Sequence, residues 1–152
     1  MNTDAKDLIP LIVADIYELA GRFRDNGEAI ARTVGQTQAR WQVMSAASGA
    51  PLTVPQIARR LGVTRQNVQR IADLLAAEGS ATFETNPDHR GSPYLALSKR
   101  GRAALDELTK AAGNYHARLA RKLASTDTKA IHLGLRRLIA AIASVDSTNP
   151  AK

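Results

Sequence analysis

A mainly α-helical fold with a minor β component is what this sequence predicts, and three observations carry the expectation. Residues 53–79, TVPQIARRLGVTRQNVQRIADLLAAEG, read as two short helices joined by a three-residue turn. Residues 81–97 switch from the helical period to a two-residue alternation on either side of a turn-rich loop. Apolar residues at helical spacing then fill both ends of the chain, in excess of what a small module can bury. Paired helices followed directly by a two-stranded hairpin make a winged helix-turn-helix, here flanked by N- and C-terminal helices that can form a helical dimerisation layer.

The first helix is expected from Leu8 onward, where Leu8, Ile12, Ile16, Leu19 and Phe23 recur at spacings of three and four beside a second row of Ile9, Val13 and Ala20. Pro10 falls in the opening turn of that helix, and Asn26-Gly27 predicts a kink or break before residues 28–34 resume it. A helix apolar over more than one face needs something large to pack on, the domain itself or a second subunit, and both are expected here. Residues 37–47 form a further supporting helix, with Trp41, Met44 and Ala47 on one side and Gln38, Arg40 and Gln42 on the other. A single Trp at helical spacing from a Met is more often core than a stacking platform. Gly49-Ala50-Pro51 then turns the chain into the paired helices.

Thr53 and Gln56 are spaced as a capping box, with Pro55 in the first turn, where its missing N–H costs little. Gly62 can end that helix in the left-handed conformation, and Thr64 offers an N-cap oxygen to the next. In the second helix Val68, Ile71, Ala72 and Leu75 share one face, which turns Arg65, Gln66, Asn67, Gln69 and Arg70 outward. An ordinary antiparallel helix pair would carry Glu and Lys pairs on its solvated side. Arg, Gln and Asn are the side chains that contact guanine and adenine edges bidentately.

Past the motif, residues 81–85 and 94–97 read as an antiparallel hairpin whose apolar face lies on the paired helices. Its connection, NPDHRGSP, is too long for a two-residue turn and should project as a flexible tip. Ser98 caps a helix in which Leu105, Leu108, Ala112, Tyr115, Leu119 and Leu123 repeat about every 3.5 positions, weakened slightly at Gly113. The last helix opens at Thr126 and carries Ile131, Leu135, Leu138, Ile139 and Ile142, with Arg136 and Arg137 outside. The expected division is 1–35, an N-terminal dimerisation helix region; 36–100, the winged module; 101–145, C-terminal dimerisation helices; and 146–152, a disordered tail, all within a single structural domain.

The chain has 152 residues and a formal net charge of +7, a balance that favours a polyanion such as nucleic acid. Between Glu28 and Asp73 there is no acidic residue, yet Arg32, Arg40, Arg59, Arg60, Arg65 and Arg70 lie there, which centres the expected basic surface on the paired helices. With no cysteine, disulfides, thiolate metal sites and cysteine-based redox sensing are excluded. No apolar run approaches the roughly 18 residues of a membrane span, so a soluble, cytoplasmic protein without a membrane partner is expected.

The order of elements, together with Trp41 in the helix before the motif, PQIARRLGVTRQNVQRIADLLAAEG across it, NPDHR at the wing tip and LALSKRG leading into the long helix, resembles the MarR family of bacterial regulators. The resemblance implies a homodimer whose terminal helices interlock, through Leu8, Ile12, Ile16, Leu19, Leu135, Leu138 and Ile142 here. It also implies one winged module per subunit and repression of nearby genes, often relieved by a small aromatic or phenolic compound. Its recognition-helix contacts fall on Thr64, Arg65, Gln66, Asn67, Gln69 and Arg70, with Thr53 and Gln56 beside them. Its wing arginine falls on Arg90, held by Asp88, with His89 as a further phosphate or groove contact. The family's pocket between the winged module and the helical layer makes Tyr17, Phe23, Trp41 and Met44 candidate ligand-wall residues. Two departures stand out: Phe83, Glu84 and Thr85 occupy a strand in which members commonly carry arginine, and the tip contains Gly91 and Pro93.

Other functions compete less well. Asp88 with His89 suggests acid–base chemistry, and His116 and His132 a metal. The histidines are isolated, however, and no second carboxylate or nucleophile accompanies them, so neither enzyme nor metal nor cofactor is expected. A protein-interaction version of the winged helix would show apolar or acidic residues where this chain has Arg65, Gln66, Asn67 and Arg70. Non-specific, architectural DNA binding is separated from operator binding by its salt dependence.

Overall fold

The computed structural model describes residues 4–148, in the order α1 (Ala5–Arg32), α2 (Gln38–Ala47), β1 (Leu52–Thr53), α3 (Val54–Leu61), α4 (Arg65–Ala77), β2 (Ala81–Glu84), β3 (Tyr94–Leu97), α5 (Lys99–Lys122) and α6 (Ser125–Thr148). Two compact units divide the chain, Met1–Ala112 and Gly113–Lys152.

In the first unit, α1 departs from expectation at both ends. It is capped by Asp4, so Pro10 lies in the second turn, and it runs unbroken through Asn26-Gly27. Gly27 is there for close approach. It is buried, and a Cβ on it would stand 2.7 Å from Gln38 Cγ. One residue on, the Glu28 carboxylate accepts a hydrogen bond of 2.8 Å from the Gln38 backbone N–H at the start of α2 and one of 3.1 Å from Arg32 Nε. These two donors, the backbone N–H foremost, hold the Glu28 carboxyl below the usual carboxylate range.

The core of this unit gathers Val43, Met44 and Ala47 of α2, Ile57 and Ala58 of α3, Val68, Ile71, Ala72 and Leu75 of α4, Ala81, Leu95 and Leu97 of the sheet, and Leu108 of α5. Met44, Ile57, Val68, Leu75, Leu95 and Leu108 are fully buried, each side chain contributing about 1.5–3 kcal/mol by leaving water. Trp41 packs on the rim of this core, half-buried.

The sheet has three strands where a two-stranded wing is expected from alternation alone, in the order β1-β3-β2. β1 pairs Leu52 with Leu95 and Thr53 with Tyr94, and β2 pairs Ala81 with Leu97 and Phe83 with Leu95, both antiparallel. Two residues are too few to show a period, so β1 has no local signature and is expected only as the short strand before the paired helices in the element order of the family resemblance. The apolar face of the hairpin also differs: Ala81, Leu95 and Leu97 are buried, but Phe83 is 38% exposed.

In the second unit, α6 buries no residue. Ile131, Leu135, Ile139, Ile142 and Val145 are exposed and Leu138 is half-buried. The helix continues through Asp146 to Thr148, part of the segment expected to be a tail, and 149–152 lie outside the described residues. No helix among the described residues is long and apolar enough to cross a membrane.

Candidate nucleic-acid interface

The paired helices form as their caps dictate. The Thr53 hydroxyl accepts from the Gln56 N–H while Gln56 Oε1 accepts from the Thr53 N–H at 2.8 Å, a complete capping box. Gly62 closes α3 with φ +65° and ψ +34°, a conformation that strains any residue with a Cβ. Thr64 Oγ1 then accepts from the Asn67 N–H at 3.2 Å to start α4. Thr53 is only 6% exposed, and its hydroxyl is committed to the turn.

Four residues buried along α4, Val68, Ile71, Ala72 and Leu75, leave Arg65, Gln66, Gln69 and Arg70 exposed. Asn67 is placed differently from the outward position expected. It is half-buried, and its Oδ1 accepts from Arg70 Nη2 at 3.2 Å. Gln69 Nε2 donates to Asp73 Oδ1 at 2.8 Å, one turn along. Arg65, Gln66 and Gln69 line a hollow of about 510 Å3 that α4 shares with Phe83, Gly91 and Pro93 of the wing. Arg65 also borders a second hollow of about 570 Å3, beside Gln56, Arg59, Asp88 and His89. The recognition helix and the wing thus face a common groove with Arg65 between them.

Not every arginine near the motif contributes to that groove. Arg32 pairs with Glu28, and Arg40 makes a two-pronged ion pair with Glu78 at the end of α4, Nη1 donating to Oε1 at 2.9 Å, while its Nε donates to Gln36. Hydrogen bonds to Glu78 raise the Arg40 pKa, and the same contact holds the Glu78 carboxyl below the ordinary range. Arg59, Arg60, Arg65 and Arg90 have no such partner among the described residues. Residues 113–152 hold seven of the 21 basic and two of the 14 acidic residues, a net +5, beside eight basic and four acidic residues, a net +4, in the winged module of residues 36–100.

The wing tip is organised by a residue that sequence reasoning passed over. Asn86, 6% exposed, donates through Nδ2 to the Ser92 carbonyl at 2.9 Å and accepts at Oδ1 from the Asp88 N–H at 3.0 Å. His89 N–H donates to the Asn86 carbonyl and Ser92 N–H to the His89 carbonyl, which closes the loop on itself. Among the described residues Asp88 and Arg90 form no ion pair, and the loop that carries the exposed Arg90 is closed by Asn86. An Asn before Pro in a turn-rich loop is the sequence signal for such a side-chain-to-backbone turn.

The four residues nominated as a ligand wall differ in exposure. Met44 is completely buried, Trp41 is half-buried, and Tyr17 is 77% exposed on α1. Phe23 lines a cleft of about 400 Å3 with Arg24, Gln38, Gln42, Leu61, Asn67 and Ile71, between α1, α2 and the paired helices. His116 and His132 are exposed, and no group of His, Cys, Asp and Glu that could hold a metal occurs among the described residues.

The MarR family model matches residues 34–90, from the α1–α2 connection to the wing tip. The uncharacterized protein Rv2011c of Mycobacterium tuberculosis is 48% identical over 136 residues, 90% of this chain and 95% of that protein, and Mb2034c of Mycobacterium bovis matches to the same extent. Among solved structures, a MarR/EmrR family transcriptional regulator from Acinetobacter sp. ADP1 superposes with a TM-score of 0.75 at 16% identity, covering 90% of this chain and 98% of that one. A mutant MarR from E. coli complexed with operator DNA superposes with a TM-score of 0.69 at 19% identity, covering 87% and 95%. Those two likenesses show the fold. With the family match across the paired helices and wing, and a relative this similar over nearly its whole length, the chain belongs to the MarR family.

Proposed function

We propose that this chain is a sequence-specific DNA-binding transcriptional regulator that acts as a homodimer on a pseudo-palindromic operator and represses nearby genes. The observation that carries this reading is the groove between α4 and the wing: Arg65, Gln66 and Gln69 line it, and Arg59, Arg65 and Arg90 around it have no carboxylate partner among the described residues. Side chains of that chemistry read purine edges in the major groove, and an arginine on a wing reaches the adjacent minor groove. The DNA complex of the E. coli relative supports the same use of the fold. Two such helices in a dimer set half-site centres roughly 10 base pairs apart.

Dimerisation is supported by the apolar surface left in solvent. Leu8, Ile12 and Leu19 of α1 are 42%, 36% and 46% exposed, and Leu135 and Ile142 of α6 are 41% and 52% exposed. Residues of this kind in such number are covered in stable proteins, and a second copy covers them symmetrically. Release by a small aromatic or phenolic effector is supported by the cleft beside Phe23, which has the volume of a ligand site and shares Asn67 with α4.

Selection of bound sequences from random duplex DNA, with and without a panel of small aromatic acids, tests the whole reading. A pseudo-palindrome should be enriched, and an effective acid should lower its recovery. Tight binding with no enriched sequence would overturn sequence-specific regulation in favour of architectural binding.

A further inference from the structure

The largest share of net charge lies in residues 113–152, on side chains that neither the winged module nor the apolar dimer contacts include. Six of its cations lie among the described residues: Arg118, Arg121 and Lys122 on α5, and Lys129, Arg136 and Arg137 on α6. All six are exposed, and none has a hydrogen-bond or ion-pair partner among the described residues. Their spacing is periodic. Arg118 and Arg121 fall at i and i+3 on α5, turned away from the half-buried Leu119, and Lys122 borders them at the end of the helix. Lys129, His132 and Arg136 fall at i, i+3 and i+7 on one face of α6, with Leu133 beside them, while Leu135, Leu138 and Ile142 lie on the other. Asp127, two positions before Lys129, falls on the far side of that helix, and Asp146 lies ten residues beyond Arg136. A second copy covering Leu135, Leu138 and Ile142 would therefore leave Lys129 and Arg136, on the opposite side of α6, in solvent.

We infer that this basic face is a second nucleic-acid contact, binding the phosphate backbone of duplex DNA without regard to sequence and separately from α4 and the wing. The inference rests on the reading of the chain as a DNA-binding protein. Four of the six cations are arginines, whose planar forks match phosphate oxygens. Lys129 and Arg136 stand roughly 10 Å apart along the helix, about the length of three nucleotides on one strand. A membrane rich in anionic lipid would attract the same charge but would not need this spacing.

Affinity for the selected operator and for a random duplex, measured against salt with the full-length protein, tests the inference. The variants are Arg118→Gln/Arg121→Gln/Lys122→Gln and Lys129→Gln/Arg136→Gln/Arg137→Gln. Lys6→Gln/Arg22→Gln/Lys110→Gln removes the same charge elsewhere as a control, and Arg118→Lys/Arg121→Lys retains it. Each test variant should weaken both duplexes at low salt and flatten the slope of log affinity against log salt by about one to three units per protomer, with base preference unchanged. The control should keep the wild-type slope, and the lysine variant should recover it. Slopes indistinguishable from the control overturn the inference, as does a loss confined to phosphatidylserine vesicles with DNA binding intact. If Gln66→Ala leaves the selected sequence unaltered while the basic-face variants flatten the slope, the reading of α4 fails and the basic face stands.

Discussion

The carbonyl oxygen of Ser80 occupies the space that a side chain on Gly101 would need, because a Cβ at that position would stand 2.0 Å from it. The same carbonyl accepts from the Ser98 N–H at 3.0 Å, and the Ser98 hydroxyl donates to the Gly79 carbonyl at 2.7 Å while accepting from the Gly101 N–H at 3.1 Å. The end of the recognition helix is thereby latched to the start of α5. Gly101→Ala should cost about 2 kcal/mol or more, since the obstacle is backbone that cannot rotate away. Gly27→Ala meets only the side chain of Gln38, and alanine gains about 1 kcal/mol of helix propensity, so the two effects should nearly cancel. Urea unfolding of both variants checks this, and equal midpoints would show that the Ser80 carbonyl is no fixed obstacle.

Arg40 and Glu78 join α2 to the end of α4, and their strength should depend on pH in a defined direction. The contact lowers the Glu78 pKa in the folded state, so its stabilisation is complete above the ordinary carboxylate pKa and is lost as pH falls through the depressed value. The Glu78 side chain is 41% exposed, so a double-mutant cycle with Arg40→Met and Glu78→Gln should give about 1 kcal/mol or less near neutrality. The coupling should vanish in acid. A coupling that persists below the pKa of Glu78 would assign it to packing.

Asn86 makes the wing a preformed element. Asn86→Ala removes two hydrogen bonds from a buried position and should cost about 1–2 kcal/mol of stability. Its larger effect should be on DNA, where the loop that carries Arg90 loses its closure and affinity falls as far as in Arg90→Ala. A fluorescence titration with duplex DNA that finds Asn86→Ala at wild-type affinity would remove Asn86 from the wing's mechanism.

How much of this was legible in the sequence depended on the range of the interactions. The capping box of Thr53 and Gln56, the left-handed Gly62, the Thr64 cap and the buried face of Val68, Ile71, Ala72 and Leu75 are local, and all four were readable from spacing alone. What spacing alone could not show was set by partners far away in the chain. β1 exists because Leu52 and Thr53 meet Leu95 and Tyr94. Gly27 looked like a helix break because a glycine chosen for close approach and one chosen for chain reversal have the same letter, and only Gln38 tells them apart. In the candidate site, Gln66 could be placed outward from helical phase, while Arg65 shares the phase of Ala72 and is exposed because it opens α4. Asn67 lies at the edge of the outward phase, where the neighbouring cleft decides its exposure.

Assembly should respond to the apolar rows of the terminal helices. Ile12→Asp or Leu135→Asp places a charge where a second copy is expected to pack, and sedimentation at micromolar concentration should show dissociation together with loss of cooperative unfolding. Wild-type protein that sediments as a stable, folded monomer would count against the homodimer.

The last expectation separates reading bases from holding the backbone. Gln66 and Arg65 stand in the first turn of α4, exposed and bordering the groove shared with the wing, which is the end of a recognition helix that enters the major groove. Gln66→Ala should therefore cost about 1–3 kcal/mol on the operator and relax preference at particular bases, leaving random DNA almost unaffected. Asn67→Ala should act less directly, because its carboxamide oxygen restrains Arg70 and its side chain is half-buried at the cleft. Freed of that restraint, Arg70 should bind more loosely at several positions. Arg90→Ala should weaken all sequences and flatten the slope of log affinity against log salt by about one unit per bound subunit, as the loss of a single phosphate or groove contact does. Sequence selection repeated with each variant checks all three. If Gln66→Ala leaves the selected sequence intact while Arg90→Ala changes it at every position, the wing is the reader and α4 only holds the backbone.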